Sequence, residues 1–287
     1  MTLQIRTIFR VGLFLFAFLA YPALNVSKDP KMSPQELVAK SLEAIGSPEK
    51  LAARKSCIAE GAGTMLVRTG GSGSLAGRMS FSSEGDKFRY DMKFDFKDYT
   101  EELFTFDGQN AEFGYVRPGK RSRLGEFLYT YSAIVREGLI GGVLSTAWPL
   151  TKLDQRNPKL QYRGLTKIEG KQMHEIKYQM KKGDNDLNVL LYFDPATFRH
   201  VATVYKIIVP VPLGSSMQAS TAQNENRFEL FELFEDFRDM DGLMLPSRWT
   251  IHLTTEAGTQ TFMGEWETKI EKISFNQPIE PKTFILQ

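Results

Sequence analysis

From residue 56 onward the chain alternates apolar and polar positions with a period of two. The clearest case is 87–96, KFRYDMKFDF, where Phe88, Tyr90, Met92, Phe94 and Phe96 are separated by Lys87, Arg89, Asp91, Lys93 and Asp95. Successive side chains of a strand point to opposite faces, so this segment predicts one aromatic face and one charged face. The same rule predicts strands at 56–68 and 75–82, joined by Gly70-Gly71-Ser72-Gly73, and at 102–106 and 111–116, joined by the hairpin signal Asp107-Gly108. Further strands are predicted at 160–164, 172–180, 187–193, 199–209, 227–237, 247–254, 258–267 and 269–275, with 210–226 read as a loop. Short connections between them predict an antiparallel meander with one charged face and one apolar face.

Two segments follow a helical period instead. Ser33-Pro34-Gln35-Glu36 is a capping box with proline at the first helical position, followed by Leu37, Leu42 and Ile45 on one side. Gly46 stops that helix, and Ser47-Pro48-Glu49 starts a second one running to Ala53. Farther on, Leu124, Phe127, Leu128, Tyr131, Ile134 and Val135 predict a helix within an insertion at 121–150, interrupted at Gly141-Gly142 and ended at Pro149. The apolar sheet face needs a cover, either a second sheet or these helices.

Composition adds a bulky interior, with 21 Phe against 10 Tyr and 3 Trp. The net charge of +2 is spread along the chain, with no basic run or basic helix face, which argues against nucleic acid as a partner. Arg6 and Arg10 precede the apolar run Val11–Ala20, which is short against the roughly 20 residues of a membrane span. Residues 1–23 therefore read as a secretory signal, with an uncleaved inner-membrane anchor as the alternative. Residues 24–32 read as a linker, and 33–287 as a single domain. Export to the periplasm is the expected localisation. Cys57 is the one cysteine, so no internal disulfide is expected.

Catalytic and metal motifs are not evident. His174, His200 and His252 are far apart and lack ligand-spaced partners, so neither a metal nor a cofactor is expected. Gly71-Ser72-Gly73-Ser74 lacks the Lys-Ser/Thr ending of a phosphate loop. Glu101 and Glu102 are adjacent and point to opposite faces of a strand. No enzyme is expected.

The aromatic rows serve either as ordinary core or as the wall of a cavity, and periodicity does not separate the two. They comprise the 88–96 row, then Phe104 and Phe106, Phe113 and Tyr115, Ile176 and Tyr178, Leu191 and Tyr205. Four stretches bear on the choice: LVAKSLEAIGSPEKLAARKSCIAEG at 37–61, LYFDPATFRHV at 191–201, FEDFRDMDGLMLPSRWTI at 234–251 and KISFNQPIEPKTF at 272–284. In their joint order they resemble the LolA-like family of exported lipoprotein-sorting, lipoprotein-carrier and RseB-like proteins. That resemblance implies an α+β fold: a strongly curved antiparallel sheet, a half-barrel, with helices covering its concave face. It also implies a carrier or binder of lipid or lipoprotein acyl chains, with the aromatic rows as ligand contacts and a membrane protein as donor or acceptor. Leu37, Leu42, Leu124, Phe127, Leu128, Tyr131 and Val135 would then form the lid. A membrane-anchored envelope sensor is the alternative use of the same fold. The stretches do not place the basic residue that holds the lid closed in the carrier, and the loop near 210–226 exceeds a minimal carrier.

Overall fold

A computed structural model describes residues 32–68, 72–183, 186–209, 226–257 and 260–286. The expected signal or anchor at 1–23, the linker before Met32 and nearly all of the loop at 210–226 lie outside the described residues.

The helices α1 (Pro34–Ile45) and α2 (Pro48–Ala53) begin where their caps predict. Ser33 Oγ accepts the Glu36 N–H at 3.0 Å and Ser47 Oγ accepts the Lys50 N–H at 3.3 Å. Five strands follow as a meander: β1 (Ser56–Arg68), β2 (Ser72–Glu84), β3 (Lys87–Phe94), β4 (Glu101–Phe106) and β5 (Ala111–Phe113). An insert of short helical turns comes next, containing α3 (Arg123–Thr130), α4 (Ala133–Glu137) and α5 (Leu153–Arg156). A second meander is formed by β6 (Lys159–Ile168), β7 (Lys171–Gln179), β8 (Asn188–Phe193), β9 (His200–Val209), β10 (Asn226–Met240), β11 (Leu243–Ala257) and β12 (Gln260–Phe275).

The two meanders join where β12 pairs antiparallel with β1, in a register that sets Ala62 opposite Lys269. The result is one antiparallel 12-stranded sheet with β5 and β6 at its two edges. This order has a direct consequence. Between β5 and β6 the chain must travel from one edge of the sheet to the other, so the insert has to cross a face.

The crossed face is concave. Strands lie about 4.8 Å apart, so β3 and β11, with three strands between them, would sit about 19 Å apart on a flat sheet. Yet the rings of Tyr90 on β3 and Trp249 on β11 have centroids 5.2 Å apart. Trp249 also meets Phe81 of β2 edge-on at 6.1 Å. Only strong curvature brings these side chains together. The fold is α+β, an open curved antiparallel sheet with helices on its concave side.

Four sequence expectations change. The 121–147 region is not one helix but a series of turns. Gly138 has φ +80, and a Cβ there would lie 2.3 Å from the Ala147 carbonyl oxygen, so the chain turns sharply at this glycine. Residues 258–267 and 269–275 are not two strands: Thr268 stays paired with Gly63, so β12 runs through unbroken. Phe96 and Tyr115 lie beyond the ends of β3 and β5 and are 48% and 47% exposed, because the alternation in sequence outruns the strand pairing. Finally, the outer face is not uniformly charged. Met173, Leu190, Tyr192, Ala202 and Val204 make a small apolar cluster on β7–β9, separate from the main core.

Candidate functional site

Most of the sequence-predicted residues converge on the concave face and its cover. Phe104 stacks on Tyr90 at a centroid distance of 4.8 Å and meets Phe88 at a tilt, 5.5 Å away. Met92, Phe94, Phe106, Phe113, Ile176, Tyr178, Leu191 and Tyr205 are buried in the same core. Of the residues expected on the cover, Leu37, Leu124, Phe127, Leu128 and Val135 are buried, whereas Leu42 and Tyr131 are partly buried against that core. The structure thus brings the predicted residues together, apart from the exposed Phe96 and Tyr115.

The insert fills the concave face. Gly138 through Leu150 are buried without a break. Trp148 lies against His200, which also meets Phe193 and Phe234, at centroid distances of 5.2, 5.5 and 5.1 Å. Burial pushes the His200 imidazole down to about 3, so it is neutral, and its Nε2 lies 3.0 Å from Thr203 Oγ1.

Side chains clasp the insert to the wall at separate points. Glu102 of β4 shares the strand parity of Phe104 and Phe106 and so points inward. Its Oε1 accepts a hydrogen bond from Ser122 Oγ at 2.7 Å, and the same Oγ accepts the Gly125 N–H at 2.7 Å to cap α3. Glu102 also accepts from the Tyr99 hydroxyl, which in turn accepts the Trp266 indole N–H at 3.1 Å. Glu232 of β10 lies at the inward parity of Leu230 and Phe234. It accepts the Gly141 N–H at 2.7 Å, the Trp249 indole N–H at 2.9 Å and the Tyr205 hydroxyl at 2.7 Å. Burial pushes both carboxyls up to about 7, against the pull of those donors. Tyr178 donates to Glu137 Oε1 at 2.5 Å, and Ser83 Oγ accepts the Thr146 N–H at 3.0 Å.

Arg54, at the junction of α2 and β1, makes a further clasp. It is 8% exposed, and its guanidinium donates to the Val143 and Ser145 carbonyls at 2.8 and 3.2 Å. Among the described residues no carboxylate pairs with it, and burial lowers its pKa. Sequence reasoning missed Arg54 and both inward carboxylates. For Glu102 and Glu232 the signal was present, a charge at an apolar strand position. Arg54 carried only a weak one, a lone arginine between a helix and a strand.

A groove of about 690 Å³ opens at the seam between α1–α2 and the insert. Leu42 and Leu51 line one side, Thr146, Thr151 and Lys152 the other, with Arg54 and Lys55 between them. Of the residues predicted from sequence, Leu42 alone lines it.

No family model matches the sequence, and no curated protein matches it. The structural neighbours include LolA superfamily proteins. One, from Nitrosomonas europaea, is 12% identical with a TM-score of 0.49, covering 88% of this chain and 97% of its own. A candidate outer membrane lipoprotein-sorting protein domain from Vibrio parahaemolyticus is 11% identical with a TM-score of 0.42, covering 86% and 97%. A DUF1329 family protein from Desulfovibrio piger is 8% identical with a TM-score of 0.38, covering 86% and 95%. No helix among the described residues is long and apolar enough to cross a membrane.

Proposed function

We propose that the protein is an exported, non-catalytic binder or carrier of hydrophobic ligands, lipid or lipoprotein acyl chains, which it takes up on the concave face beneath the insert. The observation that supports this reading is how that face is covered. The wall is a continuous ladder of strands, whereas the cover is a series of short turns fastened by clasps at Arg54, Ser83, Glu102, Tyr178 and Glu232. An acyl chain that displaced the insert would replace apolar contacts with apolar contacts, each buried CH₂ contributing about 0.8 kcal/mol. The exchange then turns mainly on breaking the clasps. Arg54 is the residue assigned to hold the cover down, since its two bonds reach the backbone of the buried turn at Val143–Ser145.

The test is to purify the protein from its native host, extract it and analyse the extract by mass spectrometry, alongside titration with a fluorescent fatty acid. Co-purifying lipid and saturable binding are expected. Empty protein that does not bind the probe contradicts the reading.

A further inference from the structure

We propose that the groove between α1–α2 and the insert is a subsite for the carboxylate head of a single-chain fatty acid. This rests on the reading of the protein as a binder of hydrophobic ligands and adds the chemistry of the head group. Arg54 lines the groove as a buried cation with no carboxylate partner among the described residues. Two carbonyls occupy only part of its five-donor fork, and a desolvated charge without a counter-ion is costly until an anion completes it.

A second observation is independent of Arg54. Thr146 lines the same groove, is 7% exposed, and its hydroxyl has no hydrogen-bond partner among the described residues. A carboxylate oxygen would accept from both groups. Such charge-assisted bonds are roughly twice as strong as neutral ones.

The surroundings fit an anionic amphiphile. Lys55 and Lys152 line the groove against a single carboxylate, Glu43. Lys152 is already held by the Gly85 carbonyl and Asp86, which leaves Lys55 as the adaptable cation. Leu42 and Leu51 supply an apolar wall for the first methylenes. At about 690 Å³ the groove falls within the roughly 300–1,000 Å³ of small-ligand sites, room for one chain rather than a multi-chain lipid.

The experiment is calorimetric titration of the purified protein with dodecanoate, dodecanol and acetate, the first two below micelle formation. Dodecanoate is expected to bind at least about tenfold more tightly than dodecanol, with acetate not detectably bound. Arg54→Met should remove that preference. Lys55→Gln should weaken dodecanoate by about two- to fivefold and leave dodecanol unchanged. Ala52→Trp, at an exposed position lining the groove, should remove the preference by filling it. If Arg54→Met does not fold, the Lys55 and Ala52 variants decide. Equal affinity for dodecanol and dodecanoate would overturn the head-group site while leaving the binder reading intact. Acetate binding as tightly as dodecanoate would reduce the groove to an anion site and overturn the proposal. Binding of neither long chain would remove the binder reading as well.

Discussion

The wall and the cover of this protein bury comparable side chains by different means. In the wall every strand is fixed by backbone hydrogen bonds to its neighbours, and its inward residues follow from a period of two. In the cover, Gly138 through Leu150 are buried on all sides, and the segment crosses the sheet without joining its ladder. Its attachment depends on side chains that reach it from several parts of the molecule. The difference teaches that the core can be shared by two parts of unequal autonomy: the wall carries its own pairing, and the cover borrows its fixings.

Four perturbations sharpen or break that contrast. The largest effect is expected from Trp148→Ala, which leaves a large void between cover and wall next to His200 and should cost about 3–5 kcal/mol in urea unfolding. A loss below about 1 kcal/mol would mean that the cover contributes little to the shared core.

Next is Glu232→Leu, which strands the Gly141 N–H, the Trp249 indole and the Tyr205 hydroxyl, at a cost of about 3 kcal/mol. The same carboxylate shapes the pH dependence. Glu102 and Glu232 stand at about 7 in the fold against an ordinary 4.5, so between those values the folded protein keeps protons that the unfolded chain releases. Their contribution is full below about pH 4.5 and is lost as pH rises through about 7, at most about 3 kcal/mol per group. His200, pushed down to about 3, acts in the opposite sense, and its contribution is lost as pH falls from 6.5 toward 3. Together these groups place maximum stability at about pH 4.5. Glu232→Gln should flatten the decline between about pH 5 and 7, as read by urea midpoints across a pH series.

Arg54→Met removes the bonds to Val143 and Ser145 and should cost about 2 kcal/mol, with exchange of cover amides rising more than that of strand amides. The smallest effect belongs to Tyr178→Phe, which removes only the hydrogen bond to Glu137 and should cost about 1 kcal/mol. Equal loosening of wall and cover in these last two variants would break the distinction between them.

How much of this was legible in the sequence follows the same division. α1 and α2 were readable from Ser33-Pro34 and Ser47-Pro48 because capping is local chemistry, and the rows around Phe88 and Tyr90 because alternation is imposed by the strand itself. The 3.6-residue period of Leu124–Val135 placed helical turns correctly but not their break at Tyr131-Ser132 between α3 and α4; α4 then ends at Gly138 in the left-handed region, and the buried turns beyond it have no wet side to set a period. That Trp249 would meet Tyr90 across three intervening strands depends on curvature, which no local pattern encodes. Arg54 was missed for the same reason, because its partners Val143 and Ser145 are brought to it only by the crossing of the insert.

The central claim, a cover less autonomous than its wall, is tested most directly by native-state hydrogen exchange over a series of low urea concentrations. The amides to follow are Gly141, Leu144 and Ser145 in the cover, bonded to Glu232, Gly141 and Gly142, against Thr250 and Leu253 in β11. The account predicts that the cover amides exchange through an opening of lower free energy and weaker urea dependence than β11. Exchange of both sets only through global unfolding, with one shared free energy and slope, would contradict it.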